Sequence, residues 1–381
     1  MSRENCHRKS VQNTLANLPR TLDDTYARIL KAIPPEHLIY AKRLLQFLTY
    51  SERPLRLEEA VDAVTVDIGS RPRFDTRNRV FIPKEVVQYC SSLVTLVSKD
   101  ESGDGTARVE IQLAHFSVKQ YLVSDRLEAD MASDLKEIPA RTAIVNVCLS
   151  YLLELDRSCG PSKAIKTYHL AQYSAQYWAQ HAAVVERSGG QGWCRDKYLS
   201  SRAAFEFGYE LYSPDRLCTG PGAKVPVGSL YYAAFCGLVS STRMLLEKGA
   251  EVNAQGGEYG NALQAASYRG HGKIVQMLLD KGADVNAQGG NDGNALQRAS
   301  YRGHGKIVQM LLEKGAEVNA QGGDDSNALQ AASYRGHGKI VQMLLDKGAD
   351  VNAQGGDDGN ALHVASSEGH EEIVQMLLDK G

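Results

Sequence analysis

The sequence predicts a mostly α-helical protein: a small helical domain carrying a two-stranded hairpin, a helical spacer, and a solenoid of stacked helical repeats. Three observations carry this. Leu230, Leu263, Leu296, Leu329 and Leu362 recur at one constant interval, of the length that marks a helix-turn-helix repeat solenoid. The string NALQAASYRGHGKIVQMLLDKGADVNAQGG recurs almost letter for letter around them. Upstream, helix-patterned segments give way to two β-branched runs separated by a Gly-rich turn. A repeat that spends its residues on packing against neighbours has a surface to offer rather than a catalytic constellation.

Each repeat reads as helix, turn, helix and hairpin tip. In the unit beginning at Asn261, Ala262 to Arg269 form a short helix whose small residues admit a close neighbour. Gly270-His271-Gly272 turns the chain, glycine supplying angles that other residues resist. Ile274, Val275, Leu278 and Leu279 recur at helical spacing with Met277 between them. Lys281-Gly282 closes this second helix with a basic last turn and a terminal glycine. Ala283 to Gly290 is polar and Gly/Asn-rich, the composition of a hairpin loop. The unit resembles the ankyrin repeat. The family's Thr-Pro-Leu-His opening stands here as Asn261-Ala262-Leu263-Gln264, and only the last unit restores the histidine, at His363. Asn can bond locally as Thr does, while loss of the proline is expected to loosen the turn.

Five units are counted over residues 228–381. The first, with Tyr231, Tyr232, Phe235 and Cys236, is divergent and resembles an N-terminal cap. The fifth is incomplete, stopping inside its G-A-D-V-N element. Ile373, Val374, Leu377 and Leu378 are therefore expected to end the stack uncapped, each worth about 1.5–3 kcal/mol if covered, and the chain reads as a fragment of something longer.

The first half is organised differently. An amphipathic helix is expected over 18–33, starting at Thr21 or Asp23, and further helices over 36–50, 57–66 and 83–90, the last with proline early in the helix. Leu93 to Val97 and Arg108 to Leu113 read as strands joined by a turn at Ser102-Gly103-Asp104-Gly105, and Ser117 to Leu127 as a closing helix. Helices followed by a two-stranded wing make a winged-helix domain over 18–130, followed by a helical spacer over 131–212 and a Pro/Gly-rich linker over 213–227. The spaced aromatics Tyr168, Tyr173, Tyr177 and Trp178 read as core.

LPRTLDDTYARIL, FLTYSERPLRLEEAVDAV, CSSLVTLVS and LAHFSVKQYLVSD resemble the winged-helix region that follows the NACHT domain in fungal NOD-like receptors. The same module occurs in sequences labelled GPI inositol-deacylase winged-helix proteins. YHLAQYSAQYWAQHA and AAFEFGYELYSPDR resemble the helical spacer that precedes ankyrin repeats in those receptors. The resemblance implies the regulatory and sensor part of a NACHT–ankyrin receptor, cytoplasmic with a nuclear location left open, with a NACHT NTPase domain as a partner if the chain is a fragment. It also implies a switch role for His115, which stands in Leu113-Ala114-His115-Phe116-Ser117 where related switches touch ADP, although Phe116 replaces the acidic residue common there. Packing or capping of the following helix is the competing role for His115.

The expected partner-binding face is the concave side of the stack. Inner-helix positions place Tyr268-Arg269, Tyr301-Arg302 and Tyr334-Arg335 there, with Arg298 as a further cation and Ser367-Glu368 in the fifth unit. The hairpin tips add Glu258, Tyr259, Asp292, Asp324, Asp325, Asp357 and Asp358. Tyr and Arg are enriched at interface hot spots, so a protein partner is expected on a Tyr/Arg ladder beside an acidic rim. Units 2 and 4 differ only at Asn291 against Asp357, so a solvated, duplicated surface is the competing interpretation.

No catalytic or metal site is expected, and no cofactor. His271-Gly272-Lys273 lacks the upstream glycine and the following Ser/Thr of a phosphate loop, and no G-x-S-x-G or H-E-x-x-H is present. Seven cysteines form no C-x-x-C and read as reduced thiols. A formal charge of −2 implies no general pull toward nucleic acid or membrane. A DNA-binding winged helix is the alternative function: Lys84 and Glu85 cancel in the candidate recognition helix, but Arg71, Arg73, Arg77 and Arg79 precede it.

Overall fold

A computed structural model describes residues 21–100, 107–127, 129–190, 193–215, 227–289, 293–322, 327–355 and 359–381. The chain divides into two compact units, 1–178 and 179–381, so the helices assigned to the spacer are shared between them. The division falls inside the helix Ala171–Arg187.

The first unit is built on helices α1 (Leu22–Lys31), α2 (Pro35–Tyr50) and α3 (Leu57–Thr65). Thr21 starts α1: its hydroxyl accepts from the Asp24 amide at 3.1 Å while the Asp24 carboxylate accepts from the Thr21 amide at 3.3 Å, a reciprocal capping box. The expected wing is present as β2 (Val94–Asp100) and β3 (Ala107–Leu113), paired antiparallel with Leu96 opposite Ile111. A short strand β1 (Leu55–Arg56), not evident from the sequence, adds to the other edge of β3. Residues 83–89 form a 3-10 turn that buries only Val86, rather than an α-helix. Helices α4 (Phe116–Leu122), α5 (Ala129–Leu135), α6 (Glu137–Leu153) and α7 (Pro161–Thr167) complete the unit. Buried Asp62 ties these layers together. It pairs with both Nε and Nη2 of Arg79, at 2.6 and 2.8 Å, and accepts from the Tyr151 hydroxyl and the Leu170 amide. Of the spaced aromatics, Tyr173 and Trp178 are core, as their spacing implied.

The second unit begins with the end of α8 (Ala171–Arg187), then α9 (Trp193–Ser200) and α10 (Arg202–Leu211). Five helix pairs follow: inner helices α11 (Ser229–Phe235), α13 (Ala262–Arg269), α15 (Ala295–Tyr301), α17 (Ala328–Tyr334) and α19 (Ala361–Ser367). The outer helices are α12 (Val239–Glu247), α14 (Gly272–Asp280), α16 (Gly305–Glu313), α18 (Gly338–Asp346) and α20 (Glu371–Leu378). Inner packs on inner and outer on outer along the stack. Glu186 in α8 docks on the first pair, accepting from the Ser240 amide and the Ser241 hydroxyl, each at 2.6 Å, and pairing with Arg195 at 2.9 Å. Two expectations are corrected here. Ile373 and Leu377 are buried and only Leu378 of the terminal set is exposed. Asp215, in the stretch read as linker, is buried and accepts from the Tyr231 hydroxyl at 2.7 Å and the Glu258 amide at 3.0 Å.

Candidate partner-binding surface

Buried amides give each repeat its register. Asn261 caps α13, its side chain accepting from the Gln264 amide at 2.9 Å, and the Gln264 carboxamide oxygen accepts from the Asn261 amide at 2.8 Å. The expected loosening at the missing proline is therefore offset by a capping box. The same Gln264 donates across the interface to the carbonyls of Ala287, Gly289 and Gly293. Gln297 and Gln330 repeat the bridge. Nearer the loops, Asn253 accepts from the Asp284 amide at 2.8 Å and donates to the Gly282 carbonyl, and Asn286 and Asn319 do likewise one repeat on.

Histidine forms a third tie. Nε2 of His271, His304, His337 and His370 lies 3.1–3.2 Å from the carbonyl of Phe235, Tyr268, Tyr301 and Tyr334, each in the preceding repeat. Burial pulls His271 and His304 below the usual histidine range, against the backbone hydrogen bond that raises each. The turn glycine matters at this contact. Gly303 has φ +77°, and a Cβ there would lie 2.7 Å from the His337 ring. The repeat histidines are thus structural ties.

The carbonyls so held end the inner helices, and the side chains there form the face. Tyr268, Tyr301 and Tyr334 are half-buried; Arg269, Arg302 and Arg335 are exposed. Each guanidinium reaches back over an aromatic ring of the preceding repeat: Arg269 over Phe235 at 4.9 Å, Arg302 over Tyr268 at 4.8 Å, Arg335 over Tyr301 at 4.3 Å. Tyr301 and Tyr334 stack at 6.4 Å with 11° between planes. The sequence placed these residues together; it did not reveal that each Arg belongs to the preceding repeat's ring. The available signal was the phase of the Tyr-Arg pair.

Two residues are corrected. Arg298, expected as a groove cation, is 1% exposed: its guanidinium lies 4.9 Å from the Tyr259 ring and donates to the Gly289 carbonyl. Tyr259, expected at a tip, is 3% exposed, stacked between Phe235 and Tyr268 at 5.6 and 4.3 Å. Glu258 is half-buried, its amide held by Asp215. Asp292, Asp324, Asp325, Asp357 and Asp358 lie outside the described residues.

In the first unit, His115 is the N-cap of α4, its Nδ1 accepting from the Ser117 amide at 3.2 Å and sitting 2.7 Å from the Ser117 hydroxyl. It also borders an open cleft of about 320 Å³ with Arg53, Phe116 and Lys119. Of Arg71, Arg73, Arg77 and Arg79, the last three are held in ion pairs: Arg73 with Glu154, Arg77 with Asp75 and Arg79 with Asp62. Among the described residues, no group of three or more His, Cys, Asp or Glu is disposed to hold a metal ion, and no helix is long and apolar enough to cross a membrane.

Comparison with known proteins agrees with this architecture. Residues 230–322 and 320–381 match the family model "Ankyrin repeats (3 copies)", and residues 31–134 match "GPI inositol-deacylase, winged helix domain". A curated relative, "Azaphilone pigments biosynthesis cluster protein L" of Monascus ruber, is 39% identical over 282 residues, covering 68% of this chain and 59% of that protein. The chain thus spans under two thirds of that relative's length.

Proposed function

We infer that this chain is a non-catalytic interaction module that holds a protein partner on the inner-helix face of its ankyrin repeats. The observation that supports it is the one-per-repeat placement of Arg269, Arg302 and Arg335, exposed and pre-oriented over aromatic rings. Exposed arginines already held over half-buried rings lose little side-chain freedom on binding. The experiment is affinity capture with the purified chain and with an Arg269→Glu, Arg302→Glu, Arg335→Glu variant, partners being compared by mass spectrometry. A partner lost in the variant supports the role; unchanged capture by a variant with an unchanged melt sinks it.

The winged-helix module serves regulation in this proposal. Its support is the resemblance of 18–130 to the region following NACHT domains, which makes a NACHT NTPase domain a candidate partner and a fungal, cytoplasmic sensor the setting. The relative from Monascus ruber and five free thiols among the described residues suit that setting. With Nδ1 capping α4, His115 has Nε2 for any nucleotide contact. The deacylase name attached to the module brings no nucleophile motif with it. DNA binding gains little from a 3-10 segment preceded by arginines already paired with carboxylates.

A further inference from the structure

We propose that the arginine ladder recognises an extended acidic segment bearing a carboxylate at every third residue. This rests on the proposed partner-binding role of the same face and names the chemistry of its ligand. The three guanidiniums are equivalent by construction: each extends from the end of an inner helix over a ring of the preceding repeat, at 4.9, 4.8 and 4.3 Å. The ring occupies one face of the planar group. Among the described residues, no carboxylate pairs with Arg269, Arg302 or Arg335, so their N–H edges are left for a planar anion of the kind guanidinium binds in a fork.

Spacing selects the ligand. Successive inner helices pack directly on one another, and packed helix axes lie about 8–10 Å apart. An extended chain advances about 3.3 Å per residue, so two residues fall short of one step, four overshoot it, and three match. A polyproline II segment meets a second condition: with three residues per turn and about 3.1 Å rise, every third side chain points the same way. A block of adjacent carboxylates satisfies neither condition. The ladder also has an end. In the fifth repeat the position equivalent to Arg335 is Glu368, exposed and of opposite charge, so the face reads three carboxylates and rejects a fourth in phase.

The test uses the full chain and fluorescent synthetic peptides in anisotropy titrations. One peptide carries three Glu-Pro-Pro units; a second has the same composition with the three glutamates adjacent; a third carries four units; an oligo-dT of equal charge is the polyanion control. The three-unit peptide is expected to bind at least about tenfold tighter than the block peptide or the oligo-dT. Arg302→Gln should weaken it about three- to tenfold and Arg302→Lys less, because charge is kept and the fork is lost. Glu368→Arg should tighten only the four-unit peptide. Equal affinity for spaced and block peptides, or for oligo-dT, overturns the spacing; no binding of any peptide overturns the acidic ligand. If capture of a natural partner is still lost in the triple-Glu variant while every peptide fails, this inference falls and the partner-binding role stands. If that capture is also unchanged, both fall.

Discussion

The guanidinium of Arg298 lies 4.9 Å from the centroid of the Tyr259 ring, both side chains being almost fully buried. Each stands where its sister repeats carry something else: Ala265 and Ala331 match Arg298, and Asp292, Asp325 and Asp358 match Tyr259. Two departures from a copied repeat, more than a full unit apart in sequence, meet in space. A buried cation is costly unless its environment compensates, and the ring face and the Gly289 carbonyl offset part of that cost.

A double-mutant cycle measures that compensation. Arg298→Ala returns a position to the residue of two sister repeats, and Tyr259→Leu removes the ring without adding a charge beside Arg298. Their coupling in urea unfolding should be about 0.5–2 kcal/mol, the range for a desolvated cation–ring contact. Strict additivity would show that the two substitutions are independent.

Glycine at the inner turn is required twice, for its positive φ and for the approach of the next histidine. Gly315 also has a positive φ, +89°, but nothing lies within 4 Å of an added Cβ. Gly315→Ala should therefore cost roughly 1–2 kcal/mol, the left-handed backbone penalty alone. Gly303→Ala should cost about 1 kcal/mol more, because the His337 ring must move and release the Tyr301 carbonyl. Equal losses in thermal melts would remove the close-approach explanation.

The histidine ties give the stack an acid-sensitive side. His271 and His304 titrate below the ordinary histidine value of 6.5, chiefly through burial, with nearby Arg269 or Arg302 adding to the shift. A folded-state pKa below the unfolded one means that the unfolded chain binds more protons in that window. The contribution is therefore complete above about pH 6.5 and is lost as pH falls through the folded pKa values. The melting temperature should drop between pH 7 and 5, and less steeply in a His271→Gln, His304→Gln variant. Identical slopes would place the acid sensitivity in the carboxylates.

Glu186 anchors α8 to the first repeat through Ser240, Ser241 and Arg195. Glu186→Gln leaves buried Arg195 with only the exposed Asp196 carboxylate at 3.7 Å, and breaking one side of a buried pair costs about 3–5 kcal/mol. Ser241→Ala removes one hydrogen bond to the same carboxylate and should cost nearer 1 kcal/mol. A Glu186→Gln loss no larger than that of Ser241→Ala would mean that the ion pair adds nothing to the dock.

Much of the fold was legible from local signals. The Thr21 cap and the positive φ of the turn glycines are set within a single turn, and the leucine period is one such unit copied, so pattern reading locates them. The wing strands were legible by alternation; β1 was not, since two residues, Leu55-Arg56, carry no period. Residues 83–90 read as a helix because an early proline suits one, yet only Val86 and Cys90 are buried, and 83–89 stay a 3-10 turn. For the proposed face, the phase of Tyr268-Arg269 put the pair on an inner helix, where it stands. Arg298 has the same helical logic and is buried, because the ring that receives it comes from another repeat's loop.

By itself the sequence determined the repeat, its register and the identity of the letters left over after packing. Tertiary structure alone decided which of those letters are inside. The deciding partners stand about one repeat away along the chain, a separation set by how one unit stacks on the next. Identical Gln, Asn and His residues become ties between repeats, and identical arginines become an exposed ladder, because stacking supplies a carbonyl to the first group and only a ring face to the second.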